Sequence, residues 1–214
     1  MKVLVVGANG KVGQRVVKKL ASHNHEPIAM IRNESQRQAM ESRGASVVVA
    51  DLEKDISHAF SKNLDAVIFT AGSGGNTSQE KTVSVDLQGA RKTINEAVKH
   101  KVPRYLMVSA LGANDASKMP NDMQHYFVAK SEADQHLVQS SLDYTIFRPG
   151  RLTDESGNGS VKAAESLDGY DSTNTSRDNL ANAIVDALDK RNTYKKVIEL
   201  IDGNTPVKDA IAGI

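Results

Sequence analysis

The 214-residue chain carries 27 Lys and Arg against 26 Asp and Glu, a net charge of +1 that makes no electrostatic case for nucleic acid or an anionic membrane as partner. It has no cysteine, which excludes disulfides, thiolate catalysis and cysteine-ligated metals. No apolar run approaches the roughly 18 residues of a membrane span and no apolar leader precedes the first strand, so a cytoplasmic protein is expected.

The apolar run from Val3 to Val6 reads as a strand and feeds directly into GANGKVG, which holds Gly7, Gly10 and Gly13. Glycines at this spacing allow a sharp turn, a close approach of pyrophosphate to the backbone, and tight packing of the next helix on its own strand. That helix is expected from Lys11 to Ala21, with Val12, Val16, Val17 and Leu20 on one face, its free amides and positive dipole end pointing at the phosphates. The motif predicts a dinucleotide site built on Gly7, Asn9, Gly10, Lys11, Val12 and Gly13.

A second strand is expected from Pro27 to Arg32, a short helix from Ser35 to Arg43, a third strand from Ala45 to Asp51 and a short helix around Asp55 to Phe60. The unbroken apolar core Ala66 to Phe69 suits a fourth strand buried on both faces. A long helix from about Gln79 to His100 follows, then a fifth strand ending at Ser109, a helix near Asn121 to Ser140, and a sixth strand closing before Pro149. This uninterrupted alternation predicts an α/β fold with a doubly wound parallel sheet and ligands at the carboxyl ends of its strands. Residues 1–150 form the dinucleotide-binding core of a single domain spanning 1–214. From Gly150 the pattern loosens into a substrate-side lobe rich in Gly, Ser, Asp and Asn, with at most a short strand near Val161 to Glu165. A helix capped by Ser176, a last strand in KKVIELID and a closing helix from Thr205 complete it.

The end of the second strand in such a fold meets the adenosine ribose, where an acid would accept from both hydroxyls and repel a 2′-phosphate. Here Arg32 stands in that place, so NADP(H) is favoured over NAD(H), with Arg37 as a second contact. Asp51, with Leu52 beside it, is placed to accept from the adenine amino group, and Ala71 and Gly72 end the fourth strand beside the pyrophosphate. Tyr126 and Lys130 stand four apart in YFVAK, on one face of a helix, where an ammonium can stabilise tyrosinate and let the phenol act as a general acid. Ser109 ends the neighbouring strand and offers a hydroxyl to a substrate carbonyl. No metal site is expected: His23 and His25 find no clear third ligand.

Taken with VSALGA around Ser109, DYTIFRPG with Arg148, Pro149 and Gly150, and SRDNLA near the end, these motifs make nearly the whole chain resemble the short-chain dehydrogenase/reductase superfamily. The likeness is to its atypical, NAD(P)-dependent epimerase/dehydratase-like or NmrA-like members, all built on a Rossmann fold. The resemblance implies that Lys130 also binds the nicotinamide ribose and that the backbone of Pro149, Gly150, Arg151 and Leu152 lies beside the nicotinamide. It further implies that Asp86 occupies the place where relatives with a full catalytic tetrad carry an asparagine; an anion there would meet Lys130 or a bound water directly. Two functions follow from the residues and the resemblance. One is an NADP(H)-dependent oxidoreductase acting on a small carbonyl, quinone or flavin-like acceptor, with an epimerase or dehydratase ranked below it. The other is a redox sensor that binds the dinucleotide without turnover and presents a surface to a protein partner. A monomer and a homodimer both fit.

Overall fold

A computed structural model describes residues 1–60, 63–74, 78–167 and 173–214. Its centre is a nine-stranded sheet in the order β11-β8-β10-β6-β5-β4-β1-β2-β3. The strands are β1 (Lys2–Val6), β2 (Glu26–Ile31), β3 (Ser46–Val49), β4 (Ala66–Phe69), β5 (Arg104–Val108), β6 (Asp143–Pro149), β8 (Ser160–Ala164), β10 (Lys196–Asp202) and β11 (Thr205–Pro206). The pairings from β3 through β10 are all parallel, while β8 runs antiparallel to both β10 and β11.

Period-2 alternation divides each central strand between two cores. Val3 and Val5 of β1 and Ile68 of β4 face one side, where they meet Val16 and Leu20 of α1 (Lys11–Ser22) and Leu180 and Ile184 of α6 (Arg177–Asp186). Leu4 and Val6 of β1 and Phe69 of β4 face the other, against Ile94 of α4 (Ala90–Lys99) and Ala133 and Leu137 of α5 (Gln124–Val138). A sheet covered on both faces explains why β4 reads as an unbroken apolar run. It also puts the carboxyl ends of β1, β2, β4, β5 and β6 on one edge, open to a ligand.

Several features depart from the sequence reading. The expected third strand stops at Val49, leaving Asp51 in the loop beyond it, where its carboxylate accepts from the Glu53 amide at 3.1 Å. The long helix is α only in α3 (Gln79–Lys81) and α4, with a π-helical stretch at Thr82–Gly89 between them. The loosely patterned lobe contains, besides β8, a small two-stranded sheet of β7 (Arg151–Thr153) and β9 (Asn174–Ser176). Residues 168–172 of that lobe lie outside the described residues. The closing helix α7 (Val207–Ala212) begins two residues after Thr205, which pairs in β11 instead. Among the described residues no helix is long and apolar enough to cross a membrane.

Candidate nucleotide and reaction site

Gly7 leaves β1 with φ +77°, and a Cβ there would lie 2.6 Å from the Ala71 backbone at the end of β4. Gly13 lies in the first turn of α1, and a Cβ there would stand 2.3 Å from the Gly7 carbonyl. The glycines are therefore demanded by the contact between loop, helix and β4. Gly10 N-caps α1 without a side chain that bonds the first turn, and that turn holds no acid, so the amides at the helix start have no internal anion.

Beside this loop opens a cleft of about 480 Å³. Gly7, Asn9, Gly10, Arg32, Asp51, Leu52, Ala71 and Gly72 line it. Arg32 is exposed on its rim, with no ion pair among the described residues. The sequence reading had not singled out Gln36, Glu53, Thr70, Ser73, Lys81 and Val85, which also line the cleft. Thr70 and Ser73 continue the chain past β4 and were legible by position; Lys81 and Val85 come from the helix packed above. Lys81 is paired with Glu53 at 2.5 Å, and with Ser84 and Arg32 it holds the Glu53 carboxyl below its usual range. An uncapped helix start, a glycine cradle and a rim arginine fit a dinucleotide.

Not every predicted contact lies in that cleft. Val12 packs into the core, and Arg37 is held on its own helix by Glu34 and Glu41. Lys11 reaches across to Asp154, beyond β7, at 2.5 Å; Arg177 reaches the same carboxylate at 3.0 Å, and Arg15 lies 3.9 Å from it. Pro149 and Gly150 are fixed by backbone bonds, Leu111 N donating to the Pro149 carbonyl at 2.8 Å and Gly150 N to the Leu200 carbonyl at 3.0 Å. Arg151 and Leu152 continue into β7.

The candidate reaction residues lie on α5 and about the end of β5, where Lys130 reaches the Val108 carbonyl. Lys130 is buried and its ammonium lies 5.7 Å from the Tyr126 ring centroid, so residues four apart in sequence do share a face. The same ammonium donates to the Val108 carbonyl at 3.3 Å and stands 3.0 Å from Asp86 Oδ1. The other Asp86 oxygen accepts from the Ser73 amide at 2.8 Å. Asp86 thus meets Lys130 directly, and the π-helical stretch carries this buried carboxylate between the β4 loop and α5. Burial alone would lower the Lys130 pKa, but Tyr126 and Asp86 outweigh it and hold the lysine above its ordinary value. Tyr126 itself is half-buried, edge-on to Phe127 at 5.3 Å. Ser109 directly follows β5 and is buried. One more ionisable residue, Asp134, lies a turn past Lys130 and is 2 % exposed; Arg148 of β6 binds it at 3.0 Å. Its i+4 spacing from Lys130 was the available signal.

A mostly parallel, doubly wound sheet with this glycine loop at its carboxyl edge defines an NAD(P)-binding Rossmann protein of the atypical short-chain dehydrogenase/reductase kind. Residues 7–191 match the NAD(P)H-binding family model, and the chain belongs to that family. It is 43 % identical to an uncharacterized sugar epimerase of Bacillus subtilis over 99 % of each chain. A solved Bacillus halodurans chain described as a candidate NAD-dependent epimerase/dehydratase is 44 % identical, covers all of both chains and superposes with a TM-score of 0.97. An oxidoreductase of Lactococcus lactis is 26 % identical, with a TM-score of 0.85 over 100 % of this chain and 96 % of that one.

Proposed function

We propose that this protein is an NADP(H)-dependent oxidoreductase acting on a small carbonyl, quinone or flavin-like acceptor. The observation that carries the reading is the Lys130 ammonium standing against the Tyr126 ring on the helix that crosses the nucleotide-binding edge of the sheet. Gly7, Gly10, Gly13 and the start of α1 would hold the pyrophosphate, Arg32 the 2′-phosphate, and Lys130 with the Pro149–Gly150 turn the nicotinamide end. The bound nicotinamide supplies a hydride. Tyr126 gives its phenolic proton to the acceptor oxygen as negative charge develops there, and Lys130 stabilises the tyrosinate left behind. Val108 and Asp86 fix the ammonium so that it reaches Tyr126 in one geometry. The test is NADPH oxidation against a panel of carbonyls, quinones and flavins with wild type and Tyr126→Phe. A loss of about 10²–10⁴ in kcat with unchanged NADPH binding is expected; equal rates with every acceptor turned over would remove Tyr126 as the acid.

A second reading, a redox sensor without turnover, draws support from the ammonium being already neutralised by Asp86. NADPH bound but never consumed, together with a protein partner retained only in one redox state of the nucleotide, would favour it. An epimerase or dehydratase ranks third. The Bacillus subtilis relative that carries an epimerase name is matched over 99 % of its length.

A further inference from the structure

The charged side chains lining the nucleotide cleft balance among the described residues: Arg32 just past β2 and Lys81 at the end of α3 face Asp51 and Glu53 in the loop beyond β3. Glu53 is held at both oxygens. Lys81 Nζ stands 2.5 Å from Oε2, and the Ser84 hydroxyl donates to Oε1 at 3.0 Å. The loop that carries Glu53 is pinned separately, for Lys92 of α4 donates to the Leu52 and Lys54 carbonyls at 2.7 and 2.6 Å, and the Asp51 carboxylate accepts from the Glu53 amide. Among these contacts Lys81 brings the cation to the Glu53 carboxylate. Without it, Ser84 and the pinned loop would keep that carboxylate in the cleft, uncovered.

We infer that Lys81 is a specificity-determining residue for the nucleotide: by covering Glu53 it keeps that carboxylate from opposing the 2′-phosphate that Arg32 would bind. An uncovered acid in this part of a dinucleotide cleft accepts from ribose hydroxyls and repels a 2′-phosphate. With Lys81 in place two cations meet two carboxylates; without it Arg32 stands against both. A charged 2′-phosphate senses that change strongly, and the 2′-hydroxyl of NADH does not. The ion pair is thus a device for admitting NADP(H) to a cleft that carries acids. The inference deepens the NADP(H) reading and rests on it, and it needs no acceptor or turnover to be tested.

The deciding experiment is fluorescence titration with NADPH and with NADH at low ionic strength, where screening is weakest. It compares wild type, Lys81→Ala, the double variant Lys81→Ala with Glu53→Gln, and Arg32→Ala. Both members of the ion pair are partly exposed, so these variants keep the core intact. Lys81→Ala should weaken NADPH binding about fivefold and leave NADH binding nearly unchanged. Adding Glu53→Gln should restore NADPH binding, because the amide removes the anion and can still accept from Ser84. An unchanged ratio of NADPH to NADH affinity in Lys81→Ala overturns the inference. So does a double variant no better than Lys81→Ala, which would make Lys81 itself the phosphate ligand. If Arg32→Ala weakens NADPH and NADH alike, the 2′-phosphate reading fails and the role of Lys81 with it; if Arg32→Ala is selective and Lys81→Ala is not, only the role of Lys81 is overturned.

Discussion

Lys130 Nζ lies 3.0 Å from Asp86 Oδ1 with both side chains shut away from water. A buried pair of this kind is weak evidence of net stabilisation, but removing one partner strands the other charge. Asp86→Ala should therefore cost about 3–5 kcal/mol in urea unfolding. The pH dependence follows from the direction of the lysine shift. Lys130 is held above its ordinary 10.5 in the folded state, so its contribution is full below that value and is lost as pH rises through the higher folded pKa. Wild type should lose stability relative to Asp86→Ala on the alkaline side of 10.5, and parallel curves there would contradict the assignment.

Gly13→Ala tests the glycine cradle. The added methyl would sit 2.3 Å from the Gly7 carbonyl, a backbone atom that cannot step aside without moving the loop. Overpacking of this sort costs about 1–3 kcal/mol or more, and NADPH binding should be lost with it. Fluorescence titration reads the second effect and denaturant unfolding the first.

Arg32→Ala probes nucleotide choice. The guanidinium stands on the cleft rim, unpaired among the described residues, and a phosphate partner there would be partly screened by solvent. Affinity for NADPH should fall by about tenfold with NADH affinity held, since only the former has a 2′-phosphate. Equal losses for both would assign Arg32 to some other part of the nucleotide.

Arg104 is buried at the start of β5, and burial, only partly offset by Tyr194, Asp143 and Asp189, pulls its pKa down to about 10, which leaves it charged at neutral pH. Its guanidinium donates to the Ala187, Leu188 and Asp143 carbonyls and to Thr145 and Thr193, and it lies 4.3 Å over the Tyr194 ring. It thereby caps the end of α6, where carbonyls lack helical partners. Arg104→Ala should cost about 3–5 kcal/mol by leaving those acceptors unpaired, and Arg104→Lys should recover little, because a point charge cannot span the same fork. Thermal unfolding of the two variants separates these effects.

Asp154 pairs with Lys11, which follows the glycine loop, and Lys11, Arg177 and Arg15 hold its carboxyl below the usual range. Asp154→Ala should strengthen nucleotide binding at low ionic strength, with the gain vanishing in high salt because both groups are exposed. A salt-independent change, or none, would argue that Lys11 has no part in binding.

The first strand, the glycine loop and the helix behind it were legible because local rules act together there: an apolar run, glycines at fixed offsets and a 3.6-residue periodicity. The face shared by Tyr126 and Lys130 was legible for the same reason, since four residues make about one helical turn. Arg37 was harder to place. Proximity in sequence to Arg32 suggested a shared phosphate, whereas Glu34, three residues before it, and Glu41, four residues after it, claim its guanidinium.

Sequence by itself thus determined the alternating α/β order, the place of the glycine loop after the first strand and the one helix face shared by Tyr126 and Lys130, because each is a property of short stretches of chain. Tertiary structure decided the rest. The π-helical stretch around Asp86, the pairing of Asp86 with Lys130, the Asp134–Arg148 tie and the reach of Lys11 to Asp154 each join segments distant in the chain or turn on such a contact. Such contacts form only once the fold brings these segments together, where buried charges are costly unless paired, and no local pattern encodes which partner each will find.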